Sequence, residues 1–568
     1  MKTKSILLTT VITLLFIVAT SHAQNAEFVW AKQVVRINGD SGYNQINEGQ
    51  TVTTDAKGNV YVIGDFSRTV DFGFGDGSAI FKSAGQADIF ILKLDAKGNL
   101  LWAKQLGDTE YDTGTSITTD AKGNVYTIGR FTSTVDFNPG AGNAKLTSAG
   151  KGDIFILKLD TNGTFLWVKQ MGGIKGDEGN AITIDAKGNI YTTGTFEQTA
   201  DFDPGSEIVN LTSNGKEDIF IQKLDANGDF VWVKQIGGAE NDSGNSITTD
   251  ANGNIYVTGG FKSTVNFDPE TETSKLTSAG NRDIFVLKLD SLGNLVWVKQ
   301  MGGAGNAEGR SITTDANGNV YSTGTFSGTV DFDPAVDITN LTSAGEYDIF
   351  IQKLDSNGAF LWVKQMGSLN YDWGLGITTD ATGNIYTIGN FSGTVDFDIE
   401  AGTVNLTSIG DFDCFILKLD TNGNFVWAKQ MGGTGYSSGN SITVDADDNV
   451  YTTGRFEGTV DFDPGTGITN LTAGELADIF ILKLSQTTVG ISENILSDNM
   501  LVYPNPASSK IQIRGENAKG EFRIYNILGK IMVAKTLSDL HQTIDVQHLN
   551  PGIYIWQMEN RKGKLVVQ

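Results

Sequence analysis

Histidine is almost missing from this 568-residue chain: the three copies are His22, His541 and His548, so residues 24–485 carry no imidazole at all. That removes the commonest general base and the commonest metal ligand from most of the protein. A Ser-His-Asp or Cys-His relay cannot be assembled there, nor a histidine-held zinc or iron centre. Cysteine is rarer still, with Cys414 the single copy. No disulfide can form within the chain, and because sister segments put isoleucine at that place, Cys414 reads as a small core hydrophobe. Long apolar runs are scarce too. The run from Ile6 to Ala19 falls short of the roughly 18 residues a permanent span needs. It follows Lys2 and Lys4 and precedes Ser21-His22-Ala23-Gln24, the layout of a secretory leader (residues 1–23) cut between Ala23 and Gln24. Helical spacing of apolar residues is sustained nowhere, which leaves an all-β chain.

Charge is unevenly divided. Residues 24–485 hold 31 Lys and Arg against 59 Asp and Glu, whereas residues 501–568 hold 9 against 5. The large acidic region repels phosphate backbones and anionic lipid, so nucleic acid and membrane surfaces are excluded as its partners. Cations, calcium among them, remain conceivable ligands.

Self-comparison decides the organisation of residues 24–485. Trp102, Trp167, Trp232, Trp297, Trp362 and Trp427 stand 65 apart, with Trp30 an earlier copy. Asp88, Asp153, Asp218, Asp283, Asp348, Asp413 and Asp478 open seven segments resembling Asp-Ile-Phe-Ile-Leu-Lys-Leu, and Asp55 through Asp445 sit in turns of the form Asp-Ala-x-Gly-Asn at the same period. Within one unit, four extended segments are predicted at Thr115–Asp120, Asn124–Phe131, Ile154–Asp160 and Thr164–Gln170, rich in β-branched and aromatic residues. Two tight hairpins join them, with glycine placed for a type I turn closed by a bulge. Four sequential strands make one propeller blade. About 20 further residues between the second and third strands predict an added hairpin, in which Val330 and Phe332 share one face and Asp331 and Asp333 the other.

The Trp strand comes first in the chain, at residues 27–33, and the last unit stops after its third strand at Leu484. Residues 27–33 are therefore expected to complete the last blade and close a seven-bladed β-propeller without an open edge. The Trp series reads as packing between blades. The run Asp-Ile-Phe-Ile-Leu-Lys-Leu-Asp-Ala-x-Gly-Asn, with Trp-x-Lys-Gln-x-Gly-Gly and Ile-Thr-Thr-Asp-Ala-x-Gly-Asn-Val-Tyr, resembles the bacterial propeller repeat family known as SBBP. That resemblance implies the fold and no single activity.

After a polar linker (residues 486–500), residues 501–568 carry Tyr503-Pro504-Asn505-Pro506-Ala507, Phe522-Arg-Ile-Tyr-Asn-Ile-Leu-Gly529 and Leu549-Asn-Pro-Gly552-Ile-Tyr554. These motifs resemble the type A sorting domain of the type IX secretion system of Bacteroidetes, and alternation at Lys510–Arg514, Arg523–Ile527, Thr543–Val546 and Ile553–Met558 predicts a small β-sandwich. The resemblance implies the type IX machinery as a partner and a secreted or cell-surface location.

Two sets of residues stand out as candidate sites. Asp201/Asp203, Asp331/Asp333, Asp396/Asp398 and Asp461/Asp463 place paired carboxylates on one strand face, an arrangement that can hold calcium. A solvated polar face explains the same pattern, and no dense Asp-x-Asp-x-Asp-Gly loop is present. The second set breaks the repeat. Nine residues after each Trp stand Tyr111, Gly176, Asn241, Asn306, Tyr371 and Tyr436, and Trp373 is outside the Trp series. Tyr111, Tyr371, Asp372, Trp373 and Tyr436 are thus expected to meet a glycan or a surface protein. The sequence favours a non-catalytic binding or adhesion scaffold with no cofactor; the alternative is a carboxylate-based enzyme acting on polysaccharide.

Overall fold

The computed structural model describes residues 23–37, 47–138, 142–268, 271, 273–333, 335, 338–398, 402–474, 476–489, 501–503, 505–514, 520–526, 530–537, 541–558 and 561–567. Residues 1–22 of the leader read at 1–23, residues 490–500 of the linker, Pro504 and Gly529 fall outside them. Among the described residues every regular element is a strand, and no helix is long and apolar enough to cross a membrane. Two compact units result, Gln24–Thr487 and a second one built on Thr488–Gln568.

In the large unit, six four-stranded antiparallel meanders follow one another, and a last set of three, Ser437–Val444, Val450–Phe456 and Asp478–Val489, continues them. The meander predicted at 115–172 comprises Thr113–Thr119, Val125–Phe131, Asp153–Leu159 and Phe165–Gly173, within one to three residues of expectation. Its inner turn shows why the sequence folds so. Asp120 Oδ1 accepts the backbone N–H groups of Lys122 and Asn124 at 2.9 Å each, and Oδ2 accepts Asn124 Nδ2 at 2.7 Å. Gly123 takes φ +80°, a region that costs most other residues a Cβ clash. Asp448 occupies that place in the last inner turn, at φ +61°.

The added hairpins form as well: Thr329–Asp331 pairs with Asn340–Thr342, Val330 and Phe332 are fully buried, and Phe332 packs on Phe326 and Phe350 at 5.2 and 5.1 Å. They also reach backward. Gly302 of the preceding Trp strand pairs with Asp331, as Gly432 does with Asp461 and Val35 with Asp71. Gly172 pairs with Asp201 in the same way and Gly237 bridges to Asn266, so these Trp strands, otherwise open edges, are partly covered by the next unit.

Consecutive meanders pack face to face, so the core lies between them. One cluster joins Ile388, Cys414 and Ile416 to Phe456, Phe480 and Leu482; Cys414 is fully buried, as expected of a core hydrophobe. Three polar contacts repeat at the same boundaries. The lysine of the third strand donates to the next unit's outer turn, as Lys93 Nζ does to Thr161 O (2.8 Å) and Lys288 Nζ to Ser356 O (3.0 Å), or, for Lys418 before the last unit, to Gln486 Oε1 (2.6 Å). A serine on the inner strand accepts from the next inner strand: Ile312 N donates to Ser246 Oγ and Ile377 N to Ser311 Oγ, both at 3.2 Å. The Trp indole N–H donates to the same outer turn, Trp102 Nε1 to Thr161 O and Trp297 Nε1 to Ser356 O, both at 3.3 Å, with no room left for a Cβ at Gly163 beside Trp102.

All three recur between the last meander and the first. Lys483 Nζ donates to Ala96 O (3.2 Å), Val52 N to Ser441 Oγ (3.2 Å), and Trp30 Nε1 to Ala96 O (3.4 Å). Val52, Val60 and Val62 share a core cluster with Tyr451, Ile479 and Ile481. The strand Ala23–Arg36 is hydrogen-bonded beside Asp478–Val489, the third strand of the last meander. Gln33 Nε2 donates to Asp478 at 2.7 Å, as Gln105 Nε2 does to Asp88 at 2.6 Å.

In the second unit, a three-stranded sheet (Leu501–Tyr503, Lys510–Arg514, His541–Asp545) and a four-stranded one (Ile531–Leu537, Gly520–Tyr525, Gly552–Met558, Arg561–Val567) share a core of Ile511, Ile513, Phe522, Ile524 and Leu565. Asn505 clamps the last strand, accepting Val566 N and donating to Lys564 O at 2.8 Å each. Tyr554 is buried with its hydroxyl on Asn550 O, Gly552 opens its strand, and Tyr503 is exposed.

Candidate functional site

Sites depart from a repeat where the scaffold keeps it, so the informative places are those where the seven meanders differ. They cluster at one end of the inner hairpins, where the first strand starts and the second finishes. The rung there pairs Glu48 with Asp65, Thr113 with Arg130, Trp373 with Asn390 and Ser438 with Arg455. Next to it, the residue before the third strand meets the link that leaves the Trp strand of the same unit, through the bridges Ala87 to Tyr111 and Tyr347 to Tyr371. Two glycines make this approach possible: a Cβ on Gly389 would lie 1.8 Å from Trp373 O, and one on Gly345 2.2 Å from the Leu369 carbonyl carbon.

Aromatic rings gather on three successive units at this end. Tyr347 stacks on Tyr371 (5.9 Å, 22°), Tyr371 meets Trp373 (6.0 Å), Trp373 stacks on Phe412 (5.3 Å, 8°), and Phe412 meets Tyr436 (5.5 Å). Arg455 caps the strip with its guanidinium 5.0 Å from the Tyr436 ring, a favourable cation–π geometry. Beyond it the run turns polar: Arg455 pairs with Glu48 (3.7 Å), and Gln50 donates to Glu48 and to Asp65. Burial, then the Glu48 charge, push the Asp65 carboxyl up to about 7. Tyr111 lies at this far end, its hydroxyl titration raised by burial and by Asp65. On the other units the same rung carries ion pairs, Arg130 with Glu178 and Glu308 with both Arg282 and Arg310.

Tyr371, Trp373 and Tyr436 are therefore brought together, while Tyr111 has no ring partner among the described residues. Asp372 points the other way. It is fully buried, and its oxygens accept Ser368 N (2.6 Å) and Ser392 N (3.0 Å). Asp112, Asp177 and Asp242 do the same work in sister units, and burial pushes these four carboxyls up to about 6 or 7. Tyr347 and Phe412 went unread because they adjoin the invariant Asp series; their column, Ala87, Gly152, Glu217, Arg282, Tyr347, Phe412 and Ala477, varies as much as the one that was read.

The paired carboxylates staple loops. Asp331 Oδ1 accepts Asp333 N (3.0 Å) and Thr339 N (2.9 Å); Asp201, Asp396 and Asp461 each accept the two equivalent N–H groups. Asp203, Asp333 and Asp463 accept an N–H two residues on, while Asp398 carries its own N–H to Asp396. Among the described residues no group of three or more His, Cys, Asp or Glu is placed to hold a metal. A cavity of about 440 Å³, lined by Asp250, Lys288 and Asp315, opens at the opposite end of the strands.

Comparison with known proteins adds two families. The β-propeller repeat family matches residues 101–135, 166–195, 231–260, 296–325 and 426–455. The secretion system C-terminal sorting domain matches residues 501–568. A WD repeat-containing protein of Acanthamoeba polyphaga mimivirus is 26% identical over 455 residues, 67% of this chain and 33% of that protein. Regulatory protein FlaEY of Caulobacter vibrioides is 29% identical over 210 residues, 36% of this chain and 21% of its own. The chain thus spans a third or less of the curated relatives it matches. Among solved structures, the WD40 domain of Neurospora crassa Pan2 is similar over 76% of this chain and 88% of its own, at 10% identity and TM-score 0.36.

Proposed function

We propose that this chain, which carries β-propeller repeats and a C-terminal sorting domain for type IX secretion, is an exported, non-catalytic binding scaffold whose seven meanders close into a seven-bladed propeller. The sorting domain marks it for the cell surface or the medium. Closure is supported by the lysine, serine and tryptophan contacts, which run from the last meander to the first as they do between neighbours. A closed ring leaves two ends free for recognition.

The observation that carries the binding reading is the aromatic strip Tyr347–Tyr371–Trp373–Phe412–Tyr436. Nothing in the scaffold calls for it, since five other units fold with alanine, glycine, glutamate or arginine where Tyr347 and Phe412 stand. Its rings are half-buried or, at Tyr371, 41% exposed, which keeps apolar surface in contact with water in the absence of a partner. The test is binding to arrayed glycans and surface proteins by the parent and by Tyr371→Ala/Trp373→Ala. Binding lost in the double variant, with folding intact, supports the reading.

A second reading, carboxylate catalysis, rests on Glu48 and Asp65, two acids on one rung, with burial and the Glu48 charge raising Asp65 so that it titrates near neutrality. Release of reducing ends from a polysaccharide, abolished by Glu48→Gln, would establish it in place of the first.

A further inference from the structure

On the premise that the strip is the binding face, we infer that its ligand is an uncharged polysaccharide chain laid across the three aromatic units. Four features lead there.

The rings form an unbroken track rather than a pocket, with centroid steps of 5.3 to 6.0 Å. Two pairs stack on each other, which leaves outward edges and outer faces as a continuous apolar ridge. A polymer with an apolar face repeated along its length matches a track; a single anchoring side chain from a protein partner needs a desolvated pocket.

Both ends of the track carry hydroxyl donors. Tyr347 accepts Asn306 Nδ2 at 3.0 Å, and Tyr436 accepts Asn390 Nδ2 at 3.0 Å. A phenol that accepts in this way keeps its own proton to give away. Behind them the amide oxygens of Asn306 and Asn390 are buried without a partner, Asn390 being fully buried. Polar groups of this kind are costly unless something completes them.

Acceptors flank the track. Glu346 and Asp411, both exposed, immediately precede Tyr347 and Phe412. A hydroxyl-rich ligand donates to such groups, and an anionic one is repelled by them.

The arginines on either side of the track are already paired with acids. Arg455 lies on Tyr436 and pairs with Glu48, and Arg282 and Arg310 pair with Glu308. Among the described residues, the track itself carries no unpaired cation for a carboxylate or sulfate, within a region that is acidic overall.

Affinity electrophoresis of the intact protein through gels containing soluble neutral polysaccharides (hydroxyethylcellulose, xyloglucan, galactomannan, dextran) or anionic ones (alginate, polygalacturonate, dextran sulfate) tests this. Retardation by at least one neutral polymer is expected, unchanged at 1 M NaCl and reduced tenfold or more in Trp373→Ala and in the surface variant Tyr371→Ala. Arg130→Ala, on an ion-paired unit, should migrate as the parent. Retardation by anionic polymers alone, or erased by salt, would overturn the polymer class while leaving the strip as a binding face. Binding to a neutral polymer that survives both aromatic variants would overturn the strip itself. No retardation in any neutral gel, with a protein ligand found instead on the array, would sink the polysaccharide inference alone.

Discussion

The indole of Trp30 lies 6.3 Å from the ring of Tyr451, inclined at 58°, although nearly the whole repeat region separates them in sequence. The pair reproduces Trp102 on Tyr61 at 6.2 Å and 64°, where both residues belong to one meander. The first strand of the chain therefore serves as the fourth strand of the last unit, and its energetic weight can be measured.

Trp30→Ala should destabilise the protein about as much as Trp232→Ala, each by on the order of 2–3 kcal/mol, below the roughly 3–5 kcal/mol of a fully buried ring because both indoles are half-buried. Urea unfolding of the two variants side by side is the check. A cost at Trp30 near zero would mean that the first strand contributes nothing to the last unit.

The buried carboxylates Asp112, Asp177, Asp242 and Asp372 set a pH dependence. Their folded pKa values, about 6 to 7, exceed the unfolded value near 3.9. The native state thus holds these protons more tightly, and the stability so gained is complete below pH ~4 and lost as pH rises through 6 to 7. Turn aspartates such as Asp55 and Asp120 shift downward and act only under acid conditions. Asp112→Asn, which copies the Asn47 found in this column, should flatten the stability slope between pH 5 and pH 8 by on the order of 2 kcal/mol. An unchanged slope counts against the shift.

Loop stapling predicts an asymmetry within each acidic pair. Asp331→Ala deprives two backbone N–H groups of their acceptor and should cost on the order of 1–2 kcal/mol, whereas Asp333→Ala, with one exposed contact, should cost a few tenths. Because those oxygens already hold protein donors, EGTA should leave the melting midpoint where it was. A drop of several degrees on chelation would reveal a structural ion.

Cys414 should stay silent. Burial pushes its thiol well above the ordinary range, and the side chain is fully enclosed, so iodoacetamide labelling should proceed only at the rate of unfolding. Rapid labelling under native conditions would contradict the packing at the boundary of Ile388 and Phe480.

Much of the architecture was legible because the repeat multiplies each signal. One Asp-Ala-Lys-Gly-Asn turn is ambiguous, but the Asp55 pattern recurring at Asp120 and Asp185 is not. The backward pairing of the added hairpin was not legible, since Gly302 against Asp331 depends on how neighbouring units approach in space. The site was half legible. Tyr371, Trp373 and Tyr436 announced themselves by breaking the repeat, while Asp372 beside them looked equally available. Spacing cannot tell an exposed acid from one turned inward to hold Ser368 and Ser392. The sister residues Asp112, Asp177 and Asp242 held the clue, since a position kept acidic in so many units belongs to the scaffold.

The bond from Gln33 to Asp478 joins residues 445 apart. A polypeptide emerging from its N-terminus exposes the edge of its first strand long before the complementary strand exists, and contacts of such separation are late and slow to form. The large domain cannot finish folding until nearly all of it has been made. In a chain addressed across membranes, the strand that completes this pairing, Asp478–Val489, is made shortly before residues 501–568, which carry the address.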